Sequence, residues 1–121
     1  MMSRILIVED NVPHRALLQA ILTAANHDLL VAEDGQAGVD IALREKPDLI
    51  LMDVMLPVMN GYAAIRYLKL NPATRHIPIV AITANDTPAE RDRALNAGCD
   101  GCINKPIDTR VLPNQIRLFL R

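Results

Sequence analysis

The sequence predicts an α/β protein built as a doubly wound, five-stranded parallel sheet, (βα)5. Three observations predict it. Short apolar runs alternate with helix-like segments five times along 121 residues. Those runs are continuously apolar rather than alternating, as strands covered on both faces are. The chain is 50% apolar and 22% charged, which is the composition of a folding sequence. Its length gives one domain, residues 1–121, with a core of ordinary size. Strands separated by helices imply right-handed crossovers that place helices on both faces of the sheet.

The first strand is Ile5-Leu6-Ile7-Val8, closed by Glu9-Asp10-Asn11. Pro13 suits the first turn of a helix in which Leu17, Leu18, Ile21 and Leu22 recur at helical spacing. Asn26-His27-Asp28 breaks that helix, and Leu29 to Ala32 forms a second, weaker strand before the turn Glu33-Asp34-Gly35. Gly38, Ile41 and Ala42 mark the second helix, which stops before Pro47. Leu49 to Met52 is the third strand, ending at Asp53, and a loop from Val54 to Asn60 leads to a helix carrying Gly61, Ile65 and Leu68. That helix ends near Asn71-Pro72, and Ile79 to Ile82 is the fourth strand, ending at Thr83. Thr87-Pro88-Ala89-Glu90 combines a cap, a first-turn proline and a glutamate placed to close a capping box. The helix it opens has few large apolar residues and should be loosely held; Ala97-Gly98 stops it. Cys102 to Asn104 is the short fifth strand, and Asp108 or Thr109 is expected to cap a last helix with Leu112, Ile116, Phe119 and Leu120 on one stripe.

Composition excludes several classes of function. Thirteen basic and fourteen acidic residues leave a formal net charge of −1, with no local cluster of Lys or Arg to bind a polyphosphate backbone. Tyr62, Tyr67 and Phe119 are the only aromatic residues, too few for a base-stacking platform. No apolar run approaches the roughly 18 residues that span a bilayer. Met1 to Arg4 leads straight into the first strand without a signal-peptide cleavage region, so the expected location is cytoplasmic, with neither membrane nor nucleic acid as a direct partner. Cys99 and Cys102 stand three apart and are expected as free thiols. A redox pair needs a helix N-terminus to activate its thiolate, and here the second cysteine enters a strand. His14, His27 and His76 share no metal-ligand spacing.

In a doubly wound sheet, ligands collect at the carboxyl ends of the strands. The first strand ends in Glu9-Asp10 and the third in Asp53. Carboxylates brought this close hold either a proton or a cation, and hard oxygen donors with open positions suit Mg²⁺. The fourth strand ends in the hydroxyl of Thr83, and the fifth leads into the ammonium of Lys105, followed by Pro106. Carboxylates, cation, hydroxyl and ammonium are the parts needed to place a phosphoryl group on a carboxylate. That transfer is largely positioning and charge neutralisation. Asp53 is then both metal ligand and nucleophile, with Thr83 and Lys105 covering phosphoryl oxygens.

Ile5-Leu6-Ile7-Val8-Glu9-Asp10-Asn11, Asp48 through Pro57, Asn60-Gly61, Thr83-Ala84, Ala97-Gly98-Cys99-Asp100 and Lys105-Pro106 together resemble the receiver domains of response regulators in two-component signalling. The likeness is to the chemotaxis response regulator and other stand-alone receivers, and it covers essentially the whole chain. It implies a flavodoxin-like strand order, 2-1-3-4-5. It also implies Asp53 as the phospho-acceptor, Asp10 as a direct Mg²⁺ ligand and Glu9 as the neighbouring acid that reaches the metal through water. Met55 is implied to complete the metal site through its backbone carbonyl. Thr83 is implied as the hydroxyl that moves toward the phosphoryl oxygen, and Lys105 as its cation, joined to Pro106 by a cis bond. The implied phosphodonor is a phosphohistidine on a sensor histidine kinase or histidine phosphotransfer domain. The implied output is binding to a downstream protein target, by a monomer or weak dimer.

One position departs from the family pattern. Three residues before the lysine, where the family carries Tyr or Phe, stands Cys102. A thiol cannot act as a large rotating plug, so a smaller or differently shaped switch is expected, carried by the segment from Thr83 to Asn96. Water access beside Met55 and Asn85 is expected to set the lifetime of the phosphoryl group. No output domain follows Arg121, which suits a stand-alone receiver and equally a receiver cut from a longer chain. Among other classes, an aspartyl-phosphate phosphohydrolase needs an acid two residues after its nucleophile, where this chain has Met55, and a cap for which 121 residues leave no room. A flavin carrier on the same topology needs a Ser/Thr/Gly-rich loop after the first strand, where Glu9-Asp10-Asn11 stand. A phosphorylation-independent interaction module has no need of the set Asp10, Asp53, Thr83 and Lys105.

Overall fold

The computed structural model describes residues 3–84 and 87–120; Asn85 lies outside them. Five strands, β1 (Arg4–Val8), β2 (Asp28–Ala32), β3 (Leu49–Asp53), β4 (Ile79–Thr83) and β5 (Gly101–Asn104), alternate with five helices. The helices are α1 (Val12–Ala24), α2 (Gly35–Glu45), α3 (Gly61–Leu70), α4 (Pro88–Ala97) and α5 (Leu112–Arg117). All strand pairs are parallel and the order is β2-β1-β3-β4-β5, as expected.

Strand alternation divides the core into two layers. Ile5, Ile7, Leu49, Leu51, Val80, Ile82 and Ile103 face α1 and α5, packing on Leu18, Leu22, Leu112 and Ile116. Leu6, Val8, Ile50, Met52, Ile79 and Ala81 face the other way, against Val39 and Ala42 of α2, Ile65 and Leu68 of α3, and Ala94 and Ala97 of α4. β1, β3 and β4 are therefore buried on both faces, which is why their sequences read as unbroken apolar runs. β2 is an edge strand and only partly covered, which accounts for its weaker pattern.

Helix starts follow their caps. The side chains of Asn11, Asp34, Asn60 and Thr87 accept backbone N–H bonds from the first turns of α1 to α4. α4 stops at Gly98, whose φ of 105° favours glycine. Two expectations need correction. Glu90 does not spend its carboxylate on a capping box; it accepts the Tyr62 hydroxyl instead. The last helix begins at Leu112, with Val111 as a cap that makes no side-chain bond, and not at Asp108 or Thr109. A helix capped at Asp108 needs an N–H from Pro113 to continue its ladder onto Thr109, and proline has none. Asp108 caps a turn instead: its Oδ1 accepts from Arg110 N at 3.0 Å and its carbonyl from Leu112 N at 3.0 Å. Phe119 and Leu120 lie beyond α5 but still pack on the same layer as Leu112 and Ile116.

α3 approaches the end of β3 closely. A Cβ on Gly61 would lie 2.2 Å from the Asp53 carbonyl oxygen and 2.5 Å from the Val54 Cα. Both are backbone atoms with little freedom to yield. Gly61→Ala is therefore expected to cost about 1–3 kcal/mol, the usual scale of overpacking. Urea unfolding of the two proteins checks it, with a lower midpoint at unchanged slope as the expected result.

Candidate functional site

The site is the carboxyl edge of the sheet at β1, β3, β4 and β5. β1 and β3 are neighbours, with Val8 opposite Met52, so the next residues, Glu9 and Asp53, leave the sheet side by side. The Glu9 amide extends the ladder by donating to the Ala32 carbonyl at 3.0 Å. Glu9 is 1% exposed and Asp53 4% exposed, whereas Asp10 is exposed. One carboxylate oxygen from each of Glu9, Asp10 and Asp53 lies within 4.8 Å of the others. The three acids read from the strand ends thus converge.

Asp53 Oδ1 accepts the Met55 amide at 2.9 Å. Its Oδ2 accepts from Lys105 Nζ at 3.1 Å, and the same ammonium lies 3.0 Å from Glu9 Oε1. Lys105 reaches this point from the end of β5, where its amide donates to the Thr83 carbonyl at 2.8 Å; the Lys105–Pro106 bond is cis, as the family likeness implied. Thr83 ends β4, is buried, and by strand alternation belongs to the face that α4 covers, opposite the layer of Ile103. Met55 is largely exposed, and its amide is the group the structure brings to Asp53.

Electrostatics follow from this packing. Burial pushes the Glu9 carboxyl up from 4.5 to about 7, and the Asp53 carboxylate beside it pushes the same way, against the pull of Lys105. For Lys105, burial alone disfavours the charge. Its bonds to Glu9 and Asp53 outweigh that, so its affinity for the proton ends above the ordinary lysine value. One ammonium therefore serves a cluster of three carboxylates, two of them buried, and Glu9 is driven toward protonation. Hard oxygen donors carrying excess negative charge fit a small divalent cation. These residues supply that donor set.

Two neighbours of the site were not legible as functional. His14, set aside for lack of metal spacing, places its Nδ1 3.3 Å from Lys105 Nζ. Tyr62, the second residue of α3, is 8% exposed and donates its hydroxyl to Glu90 of α4, while the Arg93 guanidinium of α4 lies 4.3 Å from its ring centroid. Burial and the Glu90 carboxylate push the Tyr62 hydroxyl up to about 12, so it stays a donor. The same apolar layer holds Cys102 on β5. The aromatic ring on that side of the sheet thus comes from α3 rather than β5. Cys99 and Cys102 are free thiols with their sulfurs 3.9 Å apart, and burial pushes Cys99 up to about 12, the opposite of an activated thiolate.

The chain belongs to the response regulator receiver domain family, whose model matches residues 5–117. It is 42% identical over its full length to the response regulator PleD of Caulobacter vibrioides, of which it spans 27%. It is 36% identical to the protein PilH of Pseudomonas aeruginosa, with 98% of each chain covered. Among solved structures, it matches the receiver domain of a sensor histidine kinase from Pseudomonas aeruginosa at a TM-score of 0.91 and 33% identity, covering 98% of both chains. That receiver was solved with a magnesium ion coordinated in its active-site cleft. The protein is accordingly a receiver domain of the two-component type, a regulatory phospho-acceptor. Among the described residues, no helix is long and apolar enough to cross a membrane.

Glu9 sets a pH dependence in the metal-free protein. Its folded-state value lies above its unfolded one, so its stabilising contribution is complete below pH 4.5 and is lost as pH rises to about 7. In thermal melts without divalent cations, wild type is expected to lose stability relative to Glu9→Gln between about pH 5 and pH 8. Parallel curves for the two proteins contradict this. Tyr62→Phe is expected to cost about 1 kcal/mol, the scale of one hydrogen bond. It should also speed amide hydrogen exchange in α4 more than in α1, because only Ala94 and Ala97 of α4 are otherwise buried.

Proposed function

We propose that residues 1–121 form a phospho-acceptor unit in which Asp53 takes a phosphoryl group from a phosphohistidine donor. In that transfer the phosphorus–nitrogen bond of the donor breaks and a phosphorus–oxygen bond to the Asp53 carboxylate forms. The observation that carries the reading is the Lys105 ammonium lying against both Asp53 and Glu9, at 3.1 Å and 3.0 Å. A fixed cation beside the nucleophile neutralises charge on the incoming phosphoryl oxygens without reorganisation during transfer.

The roles divide by position. Glu9, Asp10 and Asp53, with the Met55 carbonyl, would hold Mg²⁺, which when bound supplies charge neutralisation at the phosphoryl oxygens. The Met55 amide orients the Asp53 carboxylate through Oδ1. Lys105, already on Oδ2, covers one phosphoryl oxygen, and the Thr83 hydroxyl covers another. Phosphorylation then alters the β4–α4 side of the molecule and with it the binding of a downstream protein. Phosphodonors of the sensor-kinase or phosphotransfer class fit this chemistry, because both carry the phosphoryl group on a histidine nitrogen.

Intact mass after incubation with Mg²⁺ and acetyl phosphate tests the reading. Wild type is expected to gain one phosphoryl group, and Asp53→Ala none. Omitting Mg²⁺, or substituting Lys105→Met, should slow uptake by at least about tenfold. Equal uptake by Asp53→Ala, or none by wild type, overturns the assignment. Multiple turnover of simple phosphate esters would instead favour the phosphohydrolase class.

A further inference from the structure

We propose that His14 is a positioning residue for Lys105, taking one of its three ammonium hydrogens on a neutral imidazole nitrogen. The proposal rests on the reading of Asp53 as phospho-acceptor and assigns to that site a residue outside its acidic and strand-end set.

A lysine ammonium has three donors and no acceptor. Around Lys105 Nζ stand Glu9 Oε1, an ion-pair contact at 3.0 Å outside hydrogen-bond geometry, and two hydrogen-bond partners, Asp53 Oδ2 at 3.1 Å and His14 Nδ1 at 3.3 Å. The first two are carboxylates of the acidic cluster, and in the acceptor reading both have other work. A cation draws on Glu9 and Asp53, and the phosphoryl group occupies an Asp53 oxygen. His14 is the partner of the three that neither event claims. It therefore holds the ammonium over Asp53 while the anionic partners are engaged elsewhere.

The backbone that carries the imidazole is fixed beside the site. His14 lies in the first turn of α1, and its amide donates to the capping oxygen of Asn11 at 3.0 Å. The Asn11 amide in turn donates to Glu9 Oε2 at 3.3 Å, so the cap of α1 is tied to the same acid that Lys105 meets. The other polar neighbour of Nδ1, Glu9 Oε1, is 3.7 Å away, beyond hydrogen-bond range. The geometry thus favours Nδ1 as an unprotonated acceptor from Lys105, with the ring hydrogen on Nε2. A hydrogen bond of this length, to a ring 48% exposed, is a modest one. Its loss is expected to change a rate by about two- to tenfold.

The test uses the full chain as wild type, His14→Ala and His14→Asn, whose Oδ1 occupies the place of Nδ1. With Mg²⁺ and acetyl phosphate, the initial rate of phosphoryl uptake is expected to fall by about two- to tenfold in His14→Ala and to recover largely in His14→Asn. Thermal melts of all three should agree, since the side chain is half-exposed. In a separate arm without donor, nitrogen NMR of the imidazole should show Nδ1 unprotonated in wild type, with its resonance moved by Lys105→Met. Equal uptake by all three proteins overturns the proposal. So does an equal loss in both variants, because an acceptor at that position would then be irrelevant. An Nδ1 resonance indifferent to Lys105→Met overturns the contact itself. A wild type that takes up no phosphoryl group overturns the acceptor reading and the rate claim with it, a result the NMR arm does not share.

Discussion

A single ammonium set among buried carboxylates organises this molecule. Lys105 is the cation that the structure brings to Glu9 and Asp53, and both contacts are near 3 Å. At a sheet edge shielded from water, such charges interact far more strongly than they would in solvent, and an unbalanced excess is correspondingly expensive. The excess here is negative, and it appears as a Glu9 carboxyl that prefers to keep its proton to about pH 7. A site of this kind is poised to accept positive charge.

The fold supplies that cluster through topology. Glu9 and Asp53 are 44 residues apart in the chain but adjacent in the sheet, because β3 pairs with β1 rather than with β2. β4 and β5 continue the sheet on the far side of β3, and they deliver Thr83 and Lys105 to the same edge. Right-handed crossovers leave this edge free of helices' flanks but within reach of helix N-termini. That is how α1 contributes His14 and how the loop before α3 contributes the Met55 amide. Gly61, pressed against the Asp53 carbonyl, couples the start of α3 to the end of β3.

On the face that α4 covers, apolar contacts are few. α4 buries only two alanines, and Leu95 is 58% exposed, so hydrophobic burial holds that helix weakly. Tyr62 supplies what the apolar contacts lack: a hydroxyl to Glu90 and a ring face to Arg93. Cys102 occupies little of the space that an aromatic residue on β5 would fill. The ring in this layer is carried instead by α3, one residue beyond Gly61 and hence close to the end of β3.

Most of the architecture was legible in the linear chain. Unbroken apolar runs encode strands buried on both faces, and Asn11, Asp34, Asn60 and Thr87 encode helix starts through short-range bonds. The acids at the ends of two such runs, with a hydroxyl and a lysine after two more, marked the site because strand ends converge in a parallel sheet. Local signals misled where a single missing hydrogen intervened: Asp108 has the chemistry of a cap, but Pro113 cannot continue the ladder from Thr109. They were silent where partners lie far apart in sequence, as for Tyr62 with Glu90 and for His14 with Lys105, 91 residues away. Periodicity and capping depend on neighbours within a turn or a strand, so a sequence displays them directly. Which distant side chain meets which depends on register, helix rotation and side-chain direction, and those are fixed only when the two layers close on the sheet.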